Sequence, residues 1–233
     1  MRPTALMLRV QARRAEAEGD HAAATAAADK AVALATAVGG RENRQRTNFY
    51  PTPPELAAEL AELLADNVRS DGPLLLEPSA GNGNLVRAMQ DAFHPRNYHI
   101  TAIEPEHGLA DHIDKHYRTD VKRMTFENYG PHVYSQPDGA TLAFDGVLMN
   151  PPFSVPGNRT IWIDHVRKAW DSLVTGGTLV AVVPGGFTFR EDRRHREIRA
   201  LVAQHGGHYD LPDDAFAISG TSVRTVAIWA TKP

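Results

Sequence analysis

Residues Asp145–Ser154 read DGVLMNPPFS. An apolar run is stopped by an asparagine, two prolines and a phenylalanine, a combination that a plain strand ending does not require. Each proline removes an N–H donor and fixes its own φ, so Asn150-Pro151-Pro152 is stiff and offers carbonyl oxygens rather than donors. The Asn150 side chain and the Pro151 carbonyl together suit both hydrogens of a planar exocyclic amine, leaving its nitrogen lone pair turned toward an electrophile. Phe153 then offers a flat face to the ring that carries the amine; stacking of this kind contributes roughly 1–3 kcal/mol. The alternative is a proline-terminated strand whose phenylalanine belongs to the core.

The flanking sequence decides what this ending belongs to. PPELAAELAELLADNV (53–68) is an amphipathic helix opened by proline. Next come an apolar run PLLLEP, a helix over Asn84–Phe93, a strand HITAIEP, a helix over Glu106–His116 and a strand near Arg118 to Phe126. The polar stretch Glu127–Ala143 is long enough for a functional loop. After FDGVLM, a helix over Ile161–Leu173, the strand GTLVAVVP, a helix over Glu191–Gln204 and a strand VRTVAIWA follow. Such alternation predicts a mainly parallel sheet covered on both faces. In sheets of this kind ligands bind beyond the carboxyl ends of the strands. The endings EPSAGNG, AIEPE and LMNPPF are therefore expected to converge on one rim.

EPSAGNG (Glu77–Gly83) joins a strand to a helix. Ser79, Ala80, Gly81 and Gly83 are small enough for a ligand to approach the backbone, and the helix start offers free N–H groups. The spacing matches neither the dinucleotide fingerprint nor a phosphate loop, so phosphate is not the expected ligand. Glu104 closes the next strand, 21 residues beyond Gly83, where a carboxylate accepts hydrogen bonds from two ribose hydroxyls. A nucleoside without phosphates suits both features. A glycine turn beside a solvated glutamate is the alternative.

The chain has 233 residues, 42% hydrophobic and 23% charged, enough for one full domain and a small extension. Cysteine is absent, which excludes disulfides, thiolate catalysis and cysteine-bound zinc. A net charge of -3 requires any nucleic-acid site to be concentrated. No stretch approaches the about eighteen apolar residues of a membrane span, and arginines interrupt the N-terminal MRPTALMLRVQARR. A cytoplasmic protein is expected, without membrane contact. Thr4–Val38 is alanine-rich and broken by Gly19, Gly39 and Gly40, which predicts a helical hairpin; residues 1–46 hold this hairpin and a basic linker, and 47–233 the main domain.

The ordered series FYPTPPEL, LLEPSAGNG, AIEPE, RTD, FDGVLMNPPF, GGTLVAVVP and DAFAISGTSVRTVAI resembles the motifs of the S-adenosylmethionine-dependent adenine-N6 DNA methyltransferases, in the branch whose cofactor-carboxylate motif comes first. The resemblance runs from about Asn48 to Lys232. It implies a Rossmann-like class I methyltransferase fold, α/β with an antiparallel last strand, and S-adenosylmethionine as cofactor. It also implies a residue assignment: Tyr50, Thr52 and Pro53 near the cofactor's methionine end, Glu77, Pro78, Ser79, Ala80, Gly81 and Gly83 as its cradle, Glu104 at the ribose and Asp120 at its adenine. Asn150, Pro151, Pro152 and Phe153 hold the target base, with Asn150 also close to the cofactor and Phe216 a second aromatic. Similar clamps occur in methyltransferases acting on guanine amines of RNA and on protein glutamine, so the clamp alone leaves the acceptor open.

For duplex DNA the target base must be flipped out. Arg190, Arg193 and Arg194 lie in FREDRRHREIR (Phe189–Arg199) and are candidates to grip the phosphate backbone; a solvated helix laced with ion pairs is the alternative. Arg41, Arg44 and Arg46 pose the same choice. His112 and His116, four apart, read as a solvated helix face, and no metal is expected. Full-sized members of the family usually continue into a target-recognition domain. Sequence reading is therefore expected from Glu127–Ala143, Ser154–Thr160 and Gly185–Asp192, with relaxed specificity or a partner, or self-association, through the N-terminal hairpin.

Overall fold

The computed structural model describes residues 50–130, 143–212, 215–216 and 224–233. The expected hairpin and linker of residues 1–46 lie outside the described residues, as does most of the 127–143 stretch.

Helix α1 (Pro54–Asn67) starts where Pro54 needs no N–H partner, and its Leu56, Leu60 and Leu64 recur at helical spacing on the buried side. It leads into β1 (Leu74–Glu77), α2 (Asn84–Phe93), β2 (His99–Ile103), α3 (His107–His116) and β3 (Asp120–Lys122). A 3-10 turn, Phe126–Asn128, precedes β4 (Phe144–Met149). Then come α4 (Ile161–Asp171), β5 (Leu173–Pro184), the single turn α5 (Gly186–Phe189), α6 (Arg193–His205), β6 (Gly206–Asp210) and β7 (Thr225–Thr231).

The seven strands form one sheet in the order β3-β2-β1-β4-β5-β7-β6. β3, β2, β1, β4 and β5 pair in parallel, whereas β7 runs antiparallel to both β5 and β6. Side chains alternate across the sheet. Leu75, Leu148, Val180 and Val182 join α1 and α2 on one face, while Leu76, Val147, Met149 and Val183 join α4 and α6 on the other. Burial on both faces explains why the central strands read as continuous apolar runs. The chain runs outward from β1 to β3 and then returns to β4 beside β1, so the strand order reverses between β1 and β4. A crevice opens above the carboxyl ends there.

Several elements differ from the sequence expectation. β3 stops at Lys122 rather than Phe126. α4 stops at Asp171, where the Lys232 ammonium donates to the carbonyls of Trp170, Asp171 and Leu173 at 3.2, 3.3 and 2.8 Å. The expected sequence elements omit β6 because Gly206-Gly207 looks like a helix stop. The two glycines instead let an edge strand lie under Trp229, whose ring atoms leave no room for a Cβ at Gly207. No helix among the described residues is long and apolar enough to cross a membrane.

Asp145 ties the two central strands together. Its Oδ2 accepts the Leu74 N–H at 2.8 Å, at the point where the β4–β5 register shifts between Phe144 and Gly146. Asp145→Ala leaves that donor without its partner. It is expected to lower unfolding free energy by about 1–2 kcal/mol in urea titrations, while Asp145→Asn keeps most of the loss away.

Candidate functional site

The rim above β1 and β4 collects residues from four segments. Glu77, the last residue of β1, is fully buried, and its Oε1 accepts the Ser79 N–H at 3.1 Å. Its Oε2 is buried with no hydrogen-bond partner. Pro78 and Ala80 are buried beside it. The Ala80 N–H reaches the Ile103 carbonyl at the end of β2, and the Gly83 N–H returns to the Ala80 carbonyl, so the loop is a tight turn stitched to the neighbouring strand. Gly83 has φ 86°, and a Cβ there would meet the Tyr117 ring at 2.5 Å. Glycine is therefore required twice over, by conformation and by space.

Glu104 stands across this turn, beyond the end of β2. Its Oε2 accepts the Gly81 N–H and its Oε1 the Glu106 N–H, both at 2.8 Å. Burial pushes its carboxyl up to about 7, against the two backbone N–H groups that pull it down. Burial likewise holds Glu77 well above the usual carboxylate range, with the Ser79 N–H opposing and the nearby Glu104 adding to the rise. Two carboxylates destabilised by lost hydration, one with an orphaned oxygen, suit a ligand that brings a positive charge and hydroxyl donors.

Asn150 closes β4 and links it to the segment before α1. Its Nδ2 donates to the Tyr50 carbonyl at 2.9 Å and to Thr52 Oγ1 at 3.1 Å. A carbonyl oxygen only accepts, so this pairing fixes the amide's orientation and leaves Oδ1 as the outward acceptor. Asn84, at the start of α2, donates through Nδ2 to the Thr52 carbonyl at 2.8 Å, which binds the same segment to the glycine turn. Thr52 is buried, and Pro53 is the N-cap of α1. Pro151 is buried, Pro152 is half-buried, and half-buried Phe153 packs against the cluster under α1 and α2. The loop beyond it turns at Val155–Asn158, whose backbones bond reciprocally at 2.9 and 3.0 Å around Pro156 and Gly157, φ 84°.

Other expected site residues are placed elsewhere. Asp120 opens β3 opposite Thr101, short of the rim by the length of that strand, and its carboxylate pairs with the Lys122 ammonium at 2.7 Å. Because β3 ends at Lys122, the positions at the rim are Arg123–Thr125. Phe216 is 3% exposed and belongs to the apolar cluster against which Phe153 packs. That is the placement of a core residue, without the open face that a second stacking aromatic needs. Arg194 donates to Thr160 Oγ1 at 2.7 Å and to Asp164, and Arg193 pairs with Glu197 at 2.6 Å, a carboxylate also held by Arg167. Both arginines are engaged within the protein; Arg190 alone of the three candidates makes no ion pair among the described residues. Among the described residues no group of His, Asp or Glu side chains is placed to hold a metal ion.

Sequence reasoning missed Asn84, Asn158 and Tyr117 as supports of the site. Asn158 Nδ2 donates to Asp164 at 2.9 Å while its Oδ1 accepts the Thr160 N–H at 3.0 Å, so the turn after Phe153 is pinned to α4 and, through Arg194, to α6. The signal for that turn, Val-Pro-Gly-Asn with proline and glycine at its centre, is in the sequence. The signal for Asn84 and Tyr117 is not, because both act across the fold.

No protein-family model and no curated protein matches the chain. Solved structures do match its fold. A type I restriction-modification system methyltransferase subunit of Streptococcus thermophilus superposes with a TM-score of 0.65 at 18% identity, covering 88% of this chain and 49% of that one. A Listeria monocytogenes protein described as a class I S-adenosylmethionine-dependent methyltransferase gives 0.65 at 14%, covering 92% and 73%. A Pyrococcus horikoshii protein described as an RNA methyltransferase gives 0.53 at 15%, covering 79% and 88%. The chain spans about half the length of the type I subunit. Its fold is the Rossmann-like fold of the class I methyltransferases, mostly parallel with the last strands antiparallel.

The carboxylate energetics make a stability prediction. Glu104 keeps its proton in the folded protein up to about 7, whereas an unfolded glutamate loses it near 4.5. Folding therefore becomes less favourable as pH rises across that window, by up to about 3 kcal/mol from this group. Urea unfolding of the ligand-free protein at pH 5, 6, 7 and 8 should show this slope. Glu104→Gln should make it shallower, with Glu77 accounting for what remains.

Proposed function

We propose that this chain transfers the methyl group of S-adenosylmethionine to the exocyclic amine of adenine in DNA. The observation that carries the reading is the fixed amide of Asn150: both donors are spent on Tyr50 and Thr52, so its Oδ1 stands ready to accept from an amine. The Pro151 carbonyl is the second acceptor and Phe153 the stacking face. The orphaned oxygen of Glu77 fits the cofactor's ammonium group, Glu104 fits its ribose hydroxyls, and Tyr50–Pro53 close over its methionine end. Small residues at Ser79–Gly83 give it a close approach. Asp120 has no part in this proposal, because its position along β3 removes it from the rim.

When bound, the cofactor supplies a methyl group on a sulfonium, a good leaving group. The protein's task is then placement. Asn150 Oδ1 and the Pro151 carbonyl draw the amine's two hydrogens into one plane and turn its lone pair out of that plane, toward the methyl carbon. Phe153 holds the ring so that attack is in line. With the cofactor bound, the transfer would exchange its C–S bond for a new N–C bond, and the extra proton on the amine would leave to water. No strong base is called for, and preorganised acceptors supply the main acceleration. Target reading is proposed to be relaxed or supplied by a partner.

Incubation with labelled S-adenosylmethionine and DNA, RNA or protein, followed by digestion and mass spectrometry, tests the reading. N6-methyladenine from DNA is the expected product. Asn150→Ala should lower the rate by about 10²–10³-fold through loss of one acceptor and of the Tyr50–Thr52 anchor. Label in RNA or in glutamine side chains alone would reject the acceptor, and no label in any of the three would reject the activity.

Ligand binding has its own signature. Accepting ribose hydroxyls favours the ionised form of Glu104, whose carboxyl stands at about 7 without ligand. Binding of S-adenosylhomocysteine at pH 6 should thus release a proton and tighten toward pH 8. Calorimetry in two buffers of different ionisation heat measures this, and Glu104→Gln should reduce the release, leaving the part that belongs to Glu77.

A further inference from the structure

Phe189 is the one large apolar side chain left open to solvent among the described residues, 65% exposed. An isolated exposed phenylalanine needs no explanation by itself. Its setting supplies three further observations.

First, the turn that carries it is held from several directions. Thr188 donates to the Gly185 carbonyl through both its N–H and its hydroxyl, at 3.0 and 2.9 Å. The Arg199 guanidinium reaches back from α6 to the carbonyls of Phe187 and Arg190, at 2.8 and 2.6 Å, bracketing the exposed ring's backbone. Phe187 is buried edge-on to His208, with ring centres 5.3 Å apart. One phenylalanine of this turn anchors it and the other is presented outward on a backbone that has little freedom to withdraw it.

Second, the turn stands at the proposed acceptor rim. β4 and β5 are parallel neighbours with Met149 opposite Ala181, and β5 runs on only to Pro184 before the turn begins. Asn150 and Phe189 therefore follow the same ends of adjacent strands. Arg194, at the start of α6, bonds to Thr160 at the end of the loop after Phe153, so the two loops are joined.

Third, the charges around it are sorted. Arg193, Arg194 and Arg199 are each paired with a carboxylate. Arg190 and Arg159 are exposed, and neither makes an ion pair among the described residues. Arg190 directly follows the turn, and Arg159 sits on the joined loop just past Gly157. A broad apolar protein interface is poorly matched here, since no second large apolar side chain among the described residues is exposed beside Phe189. An exposed aromatic face on a rim whose guanidinium groups Arg190 and Arg159 make no ion pair among the described residues matches a polyanion that also carries flat rings.

We propose that Phe189, with Arg190 and Arg159, forms the DNA contact of this rim: Phe189 stacks on a base next to the target, and the two arginines hold the flanking phosphates. This inference rests on the reading of the acceptor as DNA. It assigns strand contact to the turn rather than to Arg193 and Arg194, which act as positioning residues through their bonds to Glu197, Thr160 and Asp164.

The test uses the full chain, a fluorescein-labelled duplex oligonucleotide and anisotropy across a series of salt concentrations. Phe189→Ala should weaken DNA binding by at least about tenfold with an unchanged salt slope, and Phe189→Tyr should restore it. Arg190→Ala and Arg159→Ala should each reduce the slope by about one. S-adenosylhomocysteine affinity and melting temperature should match wild type in all four variants, as expected of exposed side chains outside the cofactor site. A wild-type chain that methylates DNA while Phe189→Ala binds it equally well overturns this inference alone. A chain that binds or methylates only RNA, or no nucleic acid, overturns the inference together with the function proposed above.

Discussion

Two carboxylates buried at one end of a sheet set the terms for everything around them. Removing a charge from water costs several kcal/mol unless other groups replace its hydration. Here the replacement is incomplete: Glu104 receives two backbone N–H bonds, Glu77 receives one, and one oxygen is left with nothing. A fold selected only for stability has no reason to keep such a pair. The surrounding structure spends its rigidity on holding them in place. Ala80 is bonded to the end of β2, Gly81 to Glu104 itself, and Gly83 accepts a left-handed conformation against the Tyr117 ring. The turn and the carboxylates are consequently one object, in which moving either exposes the other.

The second half of the rim obeys a different constraint. Asn150 works by being oriented, and its orientation is imposed by a segment 98 to 100 residues earlier in the chain. That segment is in turn bound by Asn84 at the head of α2, immediately after the glycine turn. The proposed cofactor and acceptor halves therefore share the strap Tyr50–Thr52. A ligand that orders this strap acts on the Asn150 amide without touching it. In the proposed reaction this couples filling of one half to readiness of the other, through two hydrogen bonds and no moving domain.

What the sequence revealed follows from where the determining forces are local. The strand-turn-helix at Glu77–Gly83 was legible because apolar run, glycines and amphipathic helix follow one another within about twenty residues. NPPF was legible because proline acts on its own backbone. Asp120 was misplaced because the three residues of β3 are all half-buried, so no alternation marks where the strand ends and only pairing with Thr101 and Ile103 fixes it. β6 was missed for a related reason: as an edge strand it alternates between exposed and half-buried positions and opens with two glycines, which locally resemble a helix terminus. Phe216 is buried in a cluster that also holds residues of α1 and α2, more than a hundred residues earlier in the chain.

The arginines carry the same lesson into function. FREDRRHREIR presents five of them in eleven positions, and nothing in that composition distinguishes one from another. Their roles are divided by which acid each one meets in the fold: Asp164 on α4 takes Arg194, while within the stretch Glu197 takes Arg193 together with Arg167 of α4, and Glu191 takes Arg199. Each of these pairs is partly exposed and contributes little to stability, on the order of 0–1 kcal/mol. Their effect is on availability. A guanidinium already facing a carboxylate must give up that partner before it meets a phosphate, whereas Arg190 and Arg159 have no such partner among the described residues. A net charge of -3 is thus no obstacle to holding a polyanion: carboxylates face Arg193, Arg194 and Arg199, while Arg190 and Arg159 on the two turns at the rim face none among the described residues.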